Sequence, residues 1–524
     1  MREAEDSFSS AALYRACRHE VISIAEPEER YRPTPGRHDL SEHQLHLLWQ
    51  RQELLRQPLM TADRQQITVY RTGRWTRGSG PDFRDAKLRL HDGPIRVGAV
   101  EVHVLASDWF RHGHDQDLAY TKVLLHVVWH NDLGAQRVID ASGRQIPQLV
   151  LSTSLTTTAA EWQGMLGDAG WPARPTPSTT PCQRSLQEMA PETIGHLLEM
   201  AGEERWCQKA NRFALRAERR GVEQALYESL LEALGFQGNR MLFWQLARLA
   251  PVERIREVLA DGQPSPVQVQ AILYGVSGFL RHWQAARRTD RQDVEAYLTR
   301  LTGHWEPVAA LFPEQLDERQ WRTTGIRPAN FPQRRIAAAG HLLVGLSQHN
   351  LMDLLLEPLR TLEARASSRQ LQRCLRDLAR RLRVPGEADF WGRRYALTGP
   401  EQSRPIDLLG TGRSTTMVVD ILLPAAAALA QLGREPISLA VVRALYRCHP
   451  RLPTNEVTRD LERQFFGFGH ARLTIVDSAC RQQGLMQLYR DFCLNESETC
   501  QECAFPRLVA RLEQLRTDIP PAVS

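Results

Sequence analysis

The segment Val100-Glu-Val-His-Val104 alternates apolar and polar residues without a break. In a β-strand that alternation sends Val100, Val102 and Val104 to one face and Glu101 and His103 to the other. The valine face demands a core beneath it. The opposite face sets an acid beside an imidazole, which suits holding something better than it suits packing.

Neighbouring segments supply the rest of a sheet. Ile67-Thr-Val-Tyr70 and Ala86-Lys-Leu-Arg-Leu90 read as strands, and the Val100 strand extends from Ile95 to Leu105. Val123 to Trp129 is a dense apolar run, the pattern of a strand buried on both faces. Gln148 to Leu151 reads as an edge strand. Ahead of these, Leu45, Leu48 and Trp49 recur at helical spacing behind Ser41, a good N-cap. The polar, aromatic stretch from Ser107 to Tyr120 predicts a loop and a short helix capped by Ser107. The order helix, three strands, helix, strand fills roughly 110 residues, the size of one small domain.

Residues 1–38 form an N-terminal extension ending in the Pro/Gly/Arg stretch Tyr31–His38, and residues 39–155 form the α/β core. Ser152–Thr158 and Ala173–Pro181, rich in Ser, Thr and Pro, read as linkers. Helical patterns then run through a helical domain, 182–384, and a C-terminal helical region, 385–515, without a fixed repeat. The expected fold class is α+β, mainly α.

Bulk properties narrow the function classes. A net charge of +5 permits a polyanionic partner without demanding one. Arg greatly outnumbers Lys, which favours bidentate phosphate contacts but follows equally from a GC-rich genome. The basic stretches Arg216–Arg220, Arg281–Arg291 and Arg376–Arg383 read first as solvated helix faces, and together could line a nucleic-acid groove. The acidic, polar start is unlike a signal peptide. The longest apolar run, Met417–Ala430, is broken by Asp420 and Pro424 and reads as a buried helix, not a bilayer span. Nine cysteines, an odd number in a large chain, argue against an extracellular disulfide framework. The expectation is a cytoplasmic protein with no membrane association.

Candidate chemistry gathers in Gly80-Pro-Asp-Phe83 and Val100-Glu-Val-His103. Asp82 precedes the second strand and Glu101 lies on the third, 19 positions later. Carboxylates from neighbouring strands can converge on a hard divalent cation such as Mg²⁺. Such a cation makes bound water more acidic and stabilises charge on a phosphate. His112 and His114, with Asp108 and Asp117, follow the third strand, and His126 sits within the next one. They read as supports or substrate contacts around the metal, or as structural residues; their spacing fits no closed tetrahedral zinc pattern. Taken singly, Gly80-Pro-Asp is ordinary turn chemistry. Its combination with Glu101 and the strand order points to a site.

Cys480, Cys493, Cys500 and Cys503 end the helical region, and Cys500-Gln-Glu-Cys503 has a metal-hairpin spacing. Four thiolates could close a structural Zn²⁺ site. Three could ligate a [4Fe–4S] cluster with a distant fourth such as Cys182, or all could be plain thiols. Gly410-Thr-Gly-Arg-Ser-Thr415 lacks the ending and the preceding strand of a phosphate loop.

The αβββαβ order, with Pro81-Asp82 and Glu101-Val-His103, resembles the core of the PD-(D/E)XK nuclease superfamily. The resemblance implies Glu42 as the acid of the opening helix, with Asp82 and Glu101, as ligands of Mg²⁺ or Mn²⁺. It gives His103 the water-orienting role usually filled by Lys, and His is mostly neutral at pH 7. Lys87 is a substitute, although its odd spacing from Asp82 turns it to the other face of a regular strand. Some members of the superfamily also carry an iron–sulfur staple of late cysteines. A longer string is similar to a bacterial family known only as a domain of unknown function: Gly80-Pro-Asp-Phe, Val100-Glu-Val-His, Ser107-Asp-Trp, His112-Gly-His114, Tyr120 and Arg327-Pro-Ala-Asn-Phe-Pro332. Together these imply a metal-dependent nuclease, or a nuclease-like protein that binds DNA or RNA. The alternative is a catalytically inactive scaffold that binds a protein or RNA partner through its helical region.

Overall fold

The alternation at Val100–Val104 belongs to the central strand of a mixed sheet. This computed structural model describes residues 9–25, 42–156, 180–467, 474–493, 500 and 503–517, apart from 51, 53–54, 77–79, 135, 261–263, 286–290, 364 and 388. The chain divides into two units: 24–172 with 490–503, and 1–23 with 173–489 and 504–524. Helix makes up 61% and strand 11%, so the protein is α+β and mostly helical, with a small N-terminal sheet.

In the sheet unit, α1 (Glu42–Gln50) precedes β1 (Leu59–Met60), β2 (Gln66–Arg71), β3 (Arg74–Trp75), β4 (Phe83–Leu90) and β5 (Arg96–Leu105). The short helix α2 (Asp108–Arg111) leads to β6 (Val123–His130) and β7 (Gln148–Val150). The strand order is β1-β2-β4-β5-β6-β7, with β3 beside β4. Neighbours up to β5 are antiparallel, whereas β5–β6 and β6–β7 are parallel. A parallel pair needs a crossover. The segment through α2 and a 3₁₀ turn at Leu118–Lys122 supplies the one between β5 and β6. α1 packs on β5 and β6. Val100, Val102, Val123, Leu125 and Val127 are buried, which is the core that the alternation required.

Several local expectations shift. β4 starts at Phe83 rather than Ala86, because Phe83 already pairs with Val100. The pairing is irregular between Phe83 and Ala86, and Asp85 takes φ +60°. This bulge reverses the strand's parity and sets the exposed Lys87 opposite Val97, on the same alternation as Glu101. Lys87 is nevertheless about 13 Å along the strand from that acid. Ser107 stands at the N-terminus of α2 but does not cap it; its hydroxyl donates to Asp132 at 2.6 Å. Ser41 lies outside the described residues. Leu151–Ser154 forms a short helix where a linker was expected from Ser152. Backbone bonds from Ala62 N–H to the Gln148 carbonyl (2.8 Å) and from Arg56 N–H to the Ser154 carbonyl (2.7 Å) tie the β1 side of the sheet to the β7 side. The backbone groups of those edges thus pair with each other.

The helical unit shares one hydrophobic core from Trp206 to Cys480, so segments 182–384 and 385–489 are packed together. The run Met417–Ala430 lies in a helix, Thr411–Gln431, which by length and composition could cross a membrane but whose apolar window is 72% buried within the protein. A π-turn at Val418–Leu422 interrupts it and brings Asp420 to Lys209 Nζ at 2.6 Å. The Pro191–Arg220 helix passes so close to Gly484 that a Cβ there would strike the Leu198 carbonyl. Glu203 of the same helix is 1% exposed and accepts hydrogen bonds from Ser10, Arg443 (2.8 Å) and Arg447. Removing one side of such a buried ion network strands the other charges. Glu203→Ala is expected to lower the stability of the helical unit by about 3–5 kcal/mol, read from the denaturant midpoint. A shift under about 1 kcal/mol would make the network a surface-like one.

Candidate metal centre

Asp82 and Glu101 meet where β4 begins against β5. Asp82 N–H donates to Glu101 Oε2 at 3.0 Å, and Val102 N–H donates to Asp82 Oδ2 at 2.9 Å. Each acid thus accepts a backbone donor from the other strand. His46 Nε2 lies 3.0 Å from the same Asp82 oxygen. His46 is 1% exposed and its ring sits among Trp75 and Phe83. Glu42 is one turn earlier on α1 and adds a small repulsion to Glu101. Two of the three acids expected together, Asp82 and Glu101, are therefore paired, although Glu101, at 5% exposure, is enclosed rather than set in an open cleft.

The other oxygen of Glu101 faces imidazoles. Oε1 is 3.6 Å from His103 Nε2 and 3.4 Å from His114 Nε2. His103 Nε2 is also 3.3 Å from His112 Nδ1. On its far side, His103 Nδ1 pairs with His126 Nε2 at 2.9 Å, and His126 Nδ1 meets the Gln148 side-chain amide at 3.4 Å. These partners follow from the register, since Glu101 lies beside His126 and His126 beside Gln148 in the parallel strands. His114 stacks on Tyr120, with centroids 3.8 Å apart, and meets the edge of Trp109. The ligand atoms of His103, His112 and His114 all lie within 4.8 Å of one another.

Burial decides the charge states. It pushes Glu101 well above the usual carboxylate range, helped by Asp82 and Glu42 and opposed by the Asp82 N–H. Burial pulls His103 well below the usual imidazole value, reinforced by His126, His114 and His112. His114 falls to about 4, through burial and then His112. His126 falls to about 3, through burial and then His114. Neutral imidazoles keep a lone pair, the form that binds metals.

Other expected residues play different parts. Asp108 is buried and accepts from Leu105 N–H while pairing with Arg111, which holds the β5–α2 turn. Asp117 caps the 3₁₀ turn through Ala119 N–H. His126 supports His103 from behind. Cys480 is buried in the helical core and its thiol approaches the Glu199 carbonyl. Cys182 is buried beside Thr180. Cys493, Cys500 and Cys503 are half-buried; among the described residues, no three cysteine sulfurs gather at metal-sharing distance. Residues 494–499, 501 and 502 between them lie outside the description. Sequence reasoning passed over His46, Gln148 and the stacking role of Tyr120. Only His46 left a signal, four residues after Glu42 on one helix face.

A cavity of about 360 Å³ lined by Arg56, Met60 and Val150 contains none of these residues. Fold and site together define an α+β protein with a buried carboxylate–histidine centre. The chain belongs to the family described as "Protein of unknown function (DUF2851)", which it matches over residues 42–450, a span that holds the whole centre and stops before the late cysteines. No curated protein and no solved structure matches the chain.

In chelator-stripped protein the depressed histidines favour the fold above their unfolded pKa. That stability is lost as pH falls from about 6.5 towards about 4, because the unfolded chain then binds more protons. Glu101 works the other way: its raised pKa favours the fold at low pH, and this is lost as pH rises through the folded value. Melting curves should show the sheet unit weakening on acidification, less so in His114→Gln. Glu101→Gln should raise the melting temperature more at about pH 8 than at about pH 5. A variant response independent of pH would contradict these charge states.

Proposed function

We propose that the protein is a metal-dependent phosphodiesterase of nuclease-like fold that acts on nucleic acid in the cytoplasm. The reading is carried by the reciprocal pairing of Asp82 and Glu101 across β4 and β5, with His46 beside Asp82 from α1. The element order supports it: without the two-residue β1 and β3, the unit runs α1, β2, β4, β5, α2, β6 and then the edge strand β7. Arg376 and Arg380, exposed on the Ser368–Leu382 helix, offer charge to a phosphate backbone. Nine free cysteines fit a reducing compartment.

An oxygen-only magnesium site at Glu42, Asp82 and Glu101 fits these residues poorly. Asp82 Oδ2 and Glu101 Oε2 already accept backbone N–H groups, and Glu101 is enclosed, whereas magnesium keeps several waters. The nitrogen-rich surroundings of Glu101 Oε1 fit manganese or another transition metal better. When bound, such an ion would supply charge neutralisation for the phosphate and a more acidic water. The chain's own residues orient the site: Val102 N–H holds Asp82, with His46 Nε2 3.0 Å from the same oxygen, and Asp82 N–H holds Glu101. His103 is neutral at pH 7 and brings no ammonium charge in place of Lys. His112, the exposed member, is the imidazole a substrate meets first.

The depth of the centre favours a second reading. With His103 at 2% and Glu101 at 5% exposure, a bound metal could staple a scaffold without performing chemistry. Incubating the protein with single- and double-stranded DNA and RNA, with Mn²⁺ or Mg²⁺, separates the two. Cleavage by the wild type that disappears in Asp82→Ala and Asp82→Asn supports the enzyme. Metal-loaded wild type that leaves every substrate intact supports the scaffold.

A further inference from the structure

We propose that Glu101, His103, His112 and His114 form a binding site for a divalent transition-metal ion, held by three imidazole nitrogens and one carboxylate oxygen. This deepens the metal-centre reading above by naming the ligands and the class of metal, and it rests on that reading only for the site's location.

Three of the ligand-to-ligand spacings are those of a coordination shell. Glu101 Oε1 lies 3.6 Å from His103 Nε2 and 3.4 Å from His114 Nε2, and His103 Nε2 lies 3.3 Å from His112 Nδ1. Four ligands at about 2.0–2.1 Å from a tetrahedral ion stand about 3.3–3.4 Å apart. The ligand atoms of the three histidines all lie within 4.8 Å of one another, and Glu101 Oε1 joins them through His103 and His114. They come from two elements only: His103 from β5, and His112 and His114 from the turn after α2. Gly113 makes that turn with φ +73°, a conformation that L side chains rarely adopt, and so lets residues on either side of it reach one point.

Three of the four ligands are held from behind, as metal ligands usually are. His103 leans on His126, which leans on Gln148. Glu101 is fixed through Oε2 by Asp82 N–H. His114 is clamped by the Tyr120 ring. His114 Nε2 is itself the second pointer to a ligand: the residue is 7% exposed, and among the described residues this nitrogen has no hydrogen-bond partner. A buried ring nitrogen left without a partner costs free energy, and a cation at this point relieves it. Three nitrogens and one oxygen select zinc, manganese, iron or cobalt over magnesium and calcium, which prefer oxygen shells.

The test uses the full chain, stripped with chelator and then given Zn²⁺, Co²⁺ or Mg²⁺. Titration calorimetry and elemental analysis count the ions, and the cobalt spectrum identifies the ligands. The expected result is binding of zinc and cobalt but not of magnesium. A cobalt d–d spectrum without a thiolate charge-transfer band would separate this site from the late cysteines. His112→Ala and His114→Ala should each weaken that binding at least about tenfold, and Gln148→Leu should weaken it about 10–100-fold from behind. His112 is exposed, so its replacement leaves the packed core in place, and circular dichroism confirms folding. Overturning results are a folded wild type that binds no cobalt, a spectrum made only of thiolate bands, or unchanged affinity in the folded His112→Ala variant. Binding is read without substrate: lack of nuclease activity leaves the site standing, and lack of binding removes it whatever happens to nucleic acid.

Discussion

Two hydrogen bonds set the geometry of the sheet unit's centre. Asp82 N–H reaches Glu101, and Val102 N–H reaches Asp82, so each acid is held by the backbone of the other strand. Enclosed carboxylates are costly without donors, and bonds to an ionised acceptor are the strong kind. The pair fixes where β4 begins. It also leaves Glu101 Oε1 facing the imidazoles, the orientation on which the candidate metal shell depends.

The histidines then behave as a connected row across three strands, from Gln148 on β7 through His126 on β6 to His103 on β5 and His112 beyond. A neutral imidazole has one donor and one acceptor nitrogen. The proton placements along the row are therefore linked: if His103 donates through Nδ1 to His126, its Nε2 lone pair is free to face Glu101 and His112. The opposite placement puts a proton there instead. Deep burial keeps His103 and His126 neutral, so this choice persists at physiological pH.

The helical unit treats buried charge differently. Glu203 meets two arginines, Asp420 meets Lys209, and Glu232 meets Arg216 and Arg240. Each of these acids is balanced by a permanent cation, which makes a structural network. Asp82 and Glu101 in the sheet unit face each other and neutral rings, among the described contacts. A buried pair of acids of this kind is typical of a functional site rather than of a scaffold joint.

Much of the sheet was legible because period-two alternation needs only local sequence. Val100–Val104 announced its two faces, and the dense run from Val123 announced a strand buried on both sides. The two-residue β1 and β3 are too short to show a period, and the bulge after Phe83 changed the side on which Lys87 emerges. Within the site, Glu101 with His103, and Asp82 before its strand, could be read from spacing alone. His46 could have been, from its place one turn beyond Glu42. The meeting of His112 and His114 with His103 could not, since a turn at Gly113 and the stacking on Tyr120 bring them back over β5. The sequence by itself thus determined which face of β5 carries the valines and which the acid and the imidazole, and which acids stand at the β4–β5 junction, because side-chain direction along a strand is a local property of the backbone. Only the tertiary structure decided that those acids are enclosed by imidazoles and not by lysine, because that depends on crossovers and register between strands distant in the chain.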